Sequence, residues 1–519
     1  MHTLADKRIA IIGAGPGGLA AAMLLSAAGF KVTIYEKQSY LGGRTSRLTL
    51  GDYHFDRGPT FFMMPQLLEE LFAATGRSLH DYVKLLPLDP LYTLRFGSVE
   101  FSPSSNNEVT AERIKSRFPG NEDGFRRFLV DQQKQFDALE PLLKRPFSSV
   151  ADYLSKDILN ALPHLHPFQS VYDRLKLYFN DERLRYAFTF QSKYLGMSPW
   201  QCPGAFTMLS FLEHRFGLYH PVGGVNRVCE AMGEVVKENG GVIHLSTGVS
   251  RVLVKRGKAV GVKLDNGESV EADHVIINAD FAAAMSSLFA PGDLRKYTPK
   301  KLERKRYSCS AFMLYMGVKK PVSMPHHAIL FANDYRRNVD EMMGGSTLSN
   351  DPSVYVHNPS VLDSTLAPEG HSALYALMPV PNLKSGMDWG RIREEARDRM
   401  LGRLEKEPEL RSLSASIERE AVITPLDWQD AHHIFAGATF NLAHTLDQMM
   451  LLRPRNRFEE IGNCWLVGGG THPGSGLPTI FESARITSQL LLQDERAASI
   501  ALSMNGASAG VARQGRVNL

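Results

Sequence analysis

At 519 residues the chain is too long for one ordinary core, so roughly two to four domains, or one domain with large insertions, are expected. An apolar share of 43% and a charged share of 22% are globular proportions, which excludes a disordered or fibrous chain. Fifty-nine Lys and Arg against fifty-five Asp and Glu leave a formal charge of +4, far below the charge density of a nucleic-acid binder.

The beginning of the chain has no basic n-region, signal-type apolar core or cleavage site, so secretion is not expected. Cys202, Cys229, Cys309 and Cys464 are scattered and form no CxxC or Cys/His cluster. That pattern predicts reduced thiols, a cytoplasmic location and no metal site. The longest nearly apolar run, residues 19–30, falls short of the ~20 residues that cross a bilayer.

In chain order, Arg8–Ile12 reads as a short buried strand, β-branched and bounded by charge and glycine. Gly13-Ala14-Gly15-Pro16-Gly17-Gly18 is a GxGxxG turn. Its first glycine allows the tight bend, its second lets a pyrophosphate approach the backbone, and its third lets the next helix pack on the strand. A helix over residues 19–28 follows, ended by Gly29, with its N-terminus aimed at the phosphates. The second strand, Lys31–Tyr35, leads into Glu36 and Lys37. Glu36 lies eighteen residues past Gly18, where a dinucleotide fold places the acid that takes a ribose hydroxyl. An acid there disfavours a 2′-phosphate, and so NADP.

A second glycine pair with a basic residue, Gly42-Gly43-Arg44, comes next, and then Gly58-Pro59-Thr60. Residues 106–220 read as helical and rich in aromatics, including Phe125, Phe128, Phe136, Phe179, Phe188 and Phe190. These rings either wall a large apolar substrate or simply form a helical core. A helix over residues 225–238 precedes strand patterns at 242–245, 250–255, 259–264 and 274–277, with a hairpin turn at Asn266-Gly267. Lys296, Lys300, Lys301, Arg304, Lys305 and Arg306 form a basic run, either a solvated face or a dock for anionic lipid. Near the end, Trp465-Leu-Val-Gly468-Gly469-Gly470-Thr471-His472-Pro473-Gly474-Ser475-Gly476-Leu477-Pro478 reads as strand, glycine turn and helix start. His472 is either a base or a residue that orients the turn. His54, His432 and His433 show no metal-ligand spacing.

Taken together, these stretches resemble the FAD-dependent amine oxidase and phytoene desaturase superfamily. The C-terminal string lacks the carboxylate that amine oxidases place near Gly469-Gly470, which narrows the resemblance to the bacterial phytoene and diapophytoene desaturases. Residues 183–196, 221–226 and 307–317 resemble that family too, so the likeness runs from about residue 7 to 495.

The resemblance implies an α/β fold: a Rossmann-like FAD-binding domain assembled from residues 1–105, 221–290 and 457–493. An α+β substrate-binding domain and a helical, membrane-associating insertion occupy 106–220 and 291–456, and residues 494–519 form a disordered tail. It further implies that Gly42, Gly43 and Arg44 hold the FAD pyrophosphate and that Gly58, Pro59 and Thr60 run beneath the flavin. Val249 is expected at the adenine, and Gly469, Gly470, Gly476, Leu477 and Pro478 at the isoalloxazine.

The partner implied is a long apolar isoprenoid met at a membrane surface. The implied reaction is desaturation of a linear C30 or C40 carotenoid precursor, with hydride passed to flavin N5. A carotenoid end-group oxidase or oxygenase, a carotene isomerase and an isoprenoid-binding escort protein are the alternatives.

Overall fold

The computed structural model describes residues 4–514, with side chains through residue 497. Its nucleotide-type sheet has five parallel strands in the order Val242–His244, Lys31–Tyr35, Arg8–Ile12, His274–Ile277 and Cys464–Leu466. Numbered along the chain that order is 3-2-1-4-5. The direction of winding therefore reverses at Arg8–Ile12, and a crevice opens beyond its carboxyl end. Four of that strand's five residues are buried, the continuous apolar run required of a parallel strand covered on both faces. Helix Pro16–Ala27 buries small residues (Ala20, Ala21, Ala22) and so packs closely on helices Asn226–Glu238 and Leu477–Gln514. The hairpin expected at Asn266-Gly267 joins Lys258–Leu264 to Ser269–Glu271, with Gly267 at φ +90°.

A second, seven-stranded sheet carries Ile417–Ile423, Ser310–Val318, Ser372–Val380, Val354–His357, His327–Leu330, Thr93–Phe96 and Val99–Phe101, in that order. Its last two strands correct the domain boundary drawn at residue 105. Thr93–Phe96 pairs in parallel with His327–Leu330, so this hairpin belongs with the substrate-side sheet. Pairing across more than two hundred residues leaves no local trace for a sequence reading to find.

Residues 106–220 are largely helical, as expected, with Asn107–Arg117, Glu122–Leu143, Lys156–Leu165 and Met208–Phe216 as the principal helices. Phe125, Phe128, Phe179 and Phe188 pack on one another as core. Leu154, Leu159, Leu162 and Phe168 instead point outward, Leu154 being 80% and Phe168 98% exposed. Among the described residues no helix is long and apolar enough to cross a membrane. The tail expected from residue 494 lies mostly outside the described side chains, and residues 515–519 lie outside the described backbone.

Candidate functional site

The crevice begins at the glycine turn. Gly13 sits at φ +97°, a conformation only glycine adopts freely, and its carbonyl accepts from Asn278 Nδ2 at 3.1 Å. A Cβ on Gly18 would stand 2.3 Å from the Gly13 carbonyl oxygen, so the third glycine is fixed by helix packing; it does not line the cavity. Gly15 caps the helix with no side-chain partner for the first amides, which leaves them able to receive an anion.

Glu36 is held on both oxygens. Ala14 N–H donates to Oε2 at 2.7 Å and Gln38 N–H to Oε1 at 2.8 Å, which orients the carboxylate at the edge of the crevice beside Lys37. Gly42 N–H donates to Ala14 O at 2.9 Å, and the Cβ position of Gly43 lies 3.7 Å from Gly15 Cα. The second glycine pair therefore lies directly against the first glycine turn. Arg44 follows, half-buried, its Nη1 donating to Thr439 O at 2.7 Å. Burial pulls the Arg44 pKa down, and the nearby Asp280 carboxylate opposes that pull. Asp280 itself is raised by burial, against Arg44 and the amides of Ala283 and Phe435.

The C-terminal turn closes the opposite side. Gly468 and Gly476 adopt positive φ, and helix Leu477–Gln514 begins at once. Arg453, fully buried, donates from Nη2 to Gly469 O at 2.6 Å and from Nε to Thr471 O at 3.2 Å. Ser475 N–H donates to His444 Nε2 at 3.0 Å, so His444 is a neutral acceptor, kept so by burial.

All of this opens on one cavity of about 990 Å³. Gly13, Gly15, Gly17, Glu36, Lys37 and Val249 line one end of it. Gly43, Arg44, Gly58, Pro59 and Thr60 come next, and then Gly469, Gly470, Gly476, Leu477 and Pro478. From there the wall turns apolar, with Met63, Leu67, Phe136, Phe206, Leu209 and Leu212. Of the aromatics singled out from sequence, Phe136 and Phe190 reach it.

The expectation that His472 serves as a base is corrected. Its Nε2 donates to Arg145 O at 2.9 Å, its ring packs edge-on to Phe147, burial lowers it to about 4, and it does not line the cavity. Its hydrogen bond and ring packing fit the alternative reading, a residue that orients the turn. Gly42 also stays behind the wall, holding the loop in place.

Sequence reasoning missed Asn278 and Asp280. They follow strand His274–Ile277, which pairs with Arg8–Ile12 at the point where the winding reverses, so the rule that ligands sit at such a switch point could have found them. It also missed Lys193, a half-buried lining residue whose ammonium desolvation pushes down to about 8. No short motif announces that lysine.

The pieces suit FAD: a crowded glycine turn, a restrained acid at the ribose position and a second glycine loop touching the first. The model of the flavin containing amine oxidoreductase family matches residues 16–492. Over 490 residues the chain is 48% identical to a 4,4'-diapophytoene desaturase (4,4'-diapolycopene-forming) of Methylomonas sp, covering 94% of this chain and 96% of that one. The chain belongs to the carotenoid desaturase family. Another relative of this desaturase is a lycopene-forming phytoene desaturase of Pseudescherichia vulneris, 35% identical over 94% of this chain and 99% of its own. Among solved structures, putrescine oxidase with bound putrescine matches at a TM-score of 0.63 and 16% identity, over 94% of this chain and 99% of that one, a likeness of fold. As a member of this family the desaturase is a flavoenzyme with FAD as its cofactor.

Proposed function

We propose that this desaturase introduces conjugated double bonds into a linear carotenoid precursor, and that its substrate is the C30 compound 4,4'-diapophytoene. The observation that carries this reading is the continuity of the cavity, which joins a dinucleotide cradle to an apolar channel without a dividing wall. The higher identity to the diapophytoene desaturase of Methylomonas sp than to the phytoene enzyme of Pseudescherichia vulneris supports C30 over C40.

In this reading Glu36 takes the adenosine ribose, and the amides at Gly15 and Gly43 take the diphosphate, with Arg44 beside them. Val249 lies against adenine, and the Gly469-Gly470 turn and the start of helix Leu477–Gln514 hold the isoalloxazine. When bound, FAD supplies the hydride acceptor that no side chain provides.

The second hydrogen leaves as a proton, and loss next to a delocalised allylic cation needs only a modest base. Lys193 fits that task. It lies on the turn Phe190–Leu195, and the following Gly196 packs on Phe440, whose carbonyl accepts from Ser475 Oγ in the flavin turn at 2.6 Å. With a pKa of about 8, roughly a tenth of Lys193 is free amine at pH 7. The apolar walls exclude water from the cation and present successive C–H bonds.

Peripheral membrane contact belongs to the same reading, and an exposed set of apolar side chains supports it beside the basic run. Leu154, Leu159, Leu162 and Phe168 are exposed on the insertion, and Tyr153 OH accepts from Leu451 N–H at 3.4 Å beside the cavity-lining Met449. An oily surface next to the channel suits substrate delivered from lipid. Flotation with liposomes tests it: the wild type should float and a Leu154→Ser, Phe168→Ser variant should not.

Feeding the FAD-loaded enzyme a C30 and a C40 precursor and weighing the products tests the reaction. Loss of hydrogen in pairs, faster from C30, supports it. Gain of oxygen, or unchanged mass, overturns it.

A further inference from the structure

Behind the cavity wall lies a group of histidines that the redox reading leaves unused. His220 lies in strand Leu218–Pro221, His326 directly precedes strand His327–Leu330, and His357 ends strand Val354–His357. The last two strands are antiparallel, with His327 paired to His357, so the register places His326 at His357's side. All three rings are buried, and one ligating nitrogen from each lies within 4.8 Å of the others. Among the described residues, His220 Nδ1 and both nitrogens of His326 and of His357 have no hydrogen-bond partner.

Buried polar atoms normally find partners, and so many unpaired nitrogens converging on one point call for a ligand that accepts several lone pairs at once. The other nitrogen of His220 points to a second sign. His220 Nε2 meets Asp363 Oδ2 at 2.9 Å, both side chains being essentially inaccessible. A carboxylate behind an imidazole, fixing the tautomer that leaves the opposite nitrogen free, is the usual outer support of a metal-bound histidine. Asp363 is itself anchored by Gly223 N–H at 2.6 Å and Thr365 Oγ1 at 2.6 Å.

We propose that His220, His326 and His357 bind a zinc ion, with Asp363 as the supporting carboxylate. Imidazole nitrogens suit Zn²⁺. Tetrahedral coordination at ~2.0–2.1 Å sets ligand nitrogens ~3.3 Å apart, so three nitrogens that lie within 4.8 Å of one another close in by side-chain rotation when the ion binds. A water completes the fourth position.

The ion's place defines its role. It ties strand Leu218–Pro221 to the seven-stranded sheet at the seam between the two halves. His327 Nδ1 meets Tyr355 OH at 2.6 Å, and Tyr355 OH meets Thr60 Oγ1 at 2.5 Å, both of these residues lining the cavity. The ion braces the wall from behind, outside the reacting centre. Nothing in this assignment depends on which substrate the cavity takes.

The test uses the tag-free, FAD-loaded full chain, dialysed against a chelator and titrated with Zn²⁺ alone. One tight equivalent per chain is expected by calorimetry, with a raised Tm, and Co²⁺ in its place should give the visible absorption of a four-coordinate ion. Asp363→Asn should weaken zinc binding ~10–100-fold. His357→Ala should abolish the tight equivalent. Should His357→Ala fold poorly, the wild-type stoichiometry and the Asp363→Asn titration still decide. A wild type with no tight equivalent, or an Asp363→Asn variant binding as tightly as wild type, overturns the site.

Discussion

The amide of Ala14, inside the first glycine turn, donates to the Glu36 carboxylate at 2.7 Å, so the residue proposed for the ribose also braces the turn proposed for the phosphates. Removing it injures both. Glu36→Ala is expected to weaken FAD binding ~10–100-fold, the range for losing charge-assisted hydrogen bonds. Fluorescence of released flavin on dilution measures this, and unchanged retention would contradict the role given to Glu36.

Gly18→Ala tests packing separately from contact. Its new Cβ would stand 2.3 Å from the backbone oxygen of Gly13, which has no flexible end to yield. A loss of ~1–3 kcal/mol or more is expected, read as a lower Tm of the apoprotein as well as the holoenzyme. A variant destabilised only when FAD is present would place Gly18 at the cofactor instead.

These local predictions rest on what was legible in sequence. Residues 8–36 announce themselves because strand, turn, helix and acid are contiguous, and each element's pattern is set by its immediate neighbours. The same holds for the Gly468–Pro478 string. Assembly was less legible: Thr93–Phe96 joins a sheet built mainly from residues after 310, and Phe125 and Phe136 look alike in sequence and share one buried cluster although only the second reaches the cavity. His220, His326 and His357 are separated by up to 137 residues, so no spacing rule could gather them.

His472 gives a pH prediction. Burial lowers its folded pKa to about 4, below the ~6.5 of an exposed histidine, so the unfolded chain binds the extra proton between those values. Its contribution is therefore complete above about pH 6.5 and is lost as pH falls toward 4, by at most about 3 kcal/mol. His472→Gln, which can keep a donor for Arg145 O, should flatten that part of the denaturation profile and retain most of kcat. A collapse of kcat with normal FAD content would restore His472 as a base.

Lys193→Met should lower kcat ~10²–10⁴-fold with FAD retained, the range for losing a positioned general base. In the wild type kcat should rise with pH through about 8 as the amine deprotonates, and the variant should lose that limb. An unchanged pH profile in the variant assigns the proton to another acceptor.

The central claim is that one cavity holds flavin and polyene side by side. Anaerobic mixing of the FAD-loaded enzyme with diapophytoene in liposomes tests it most directly, following the flavin's visible band and the product's absorption together. The account predicts that the flavin bleaches without oxygen, one flavin reduced for each double bond formed and at the same rate. Product formation with the flavin still oxidised, or a strict need for oxygen in the first turnover, would contradict it.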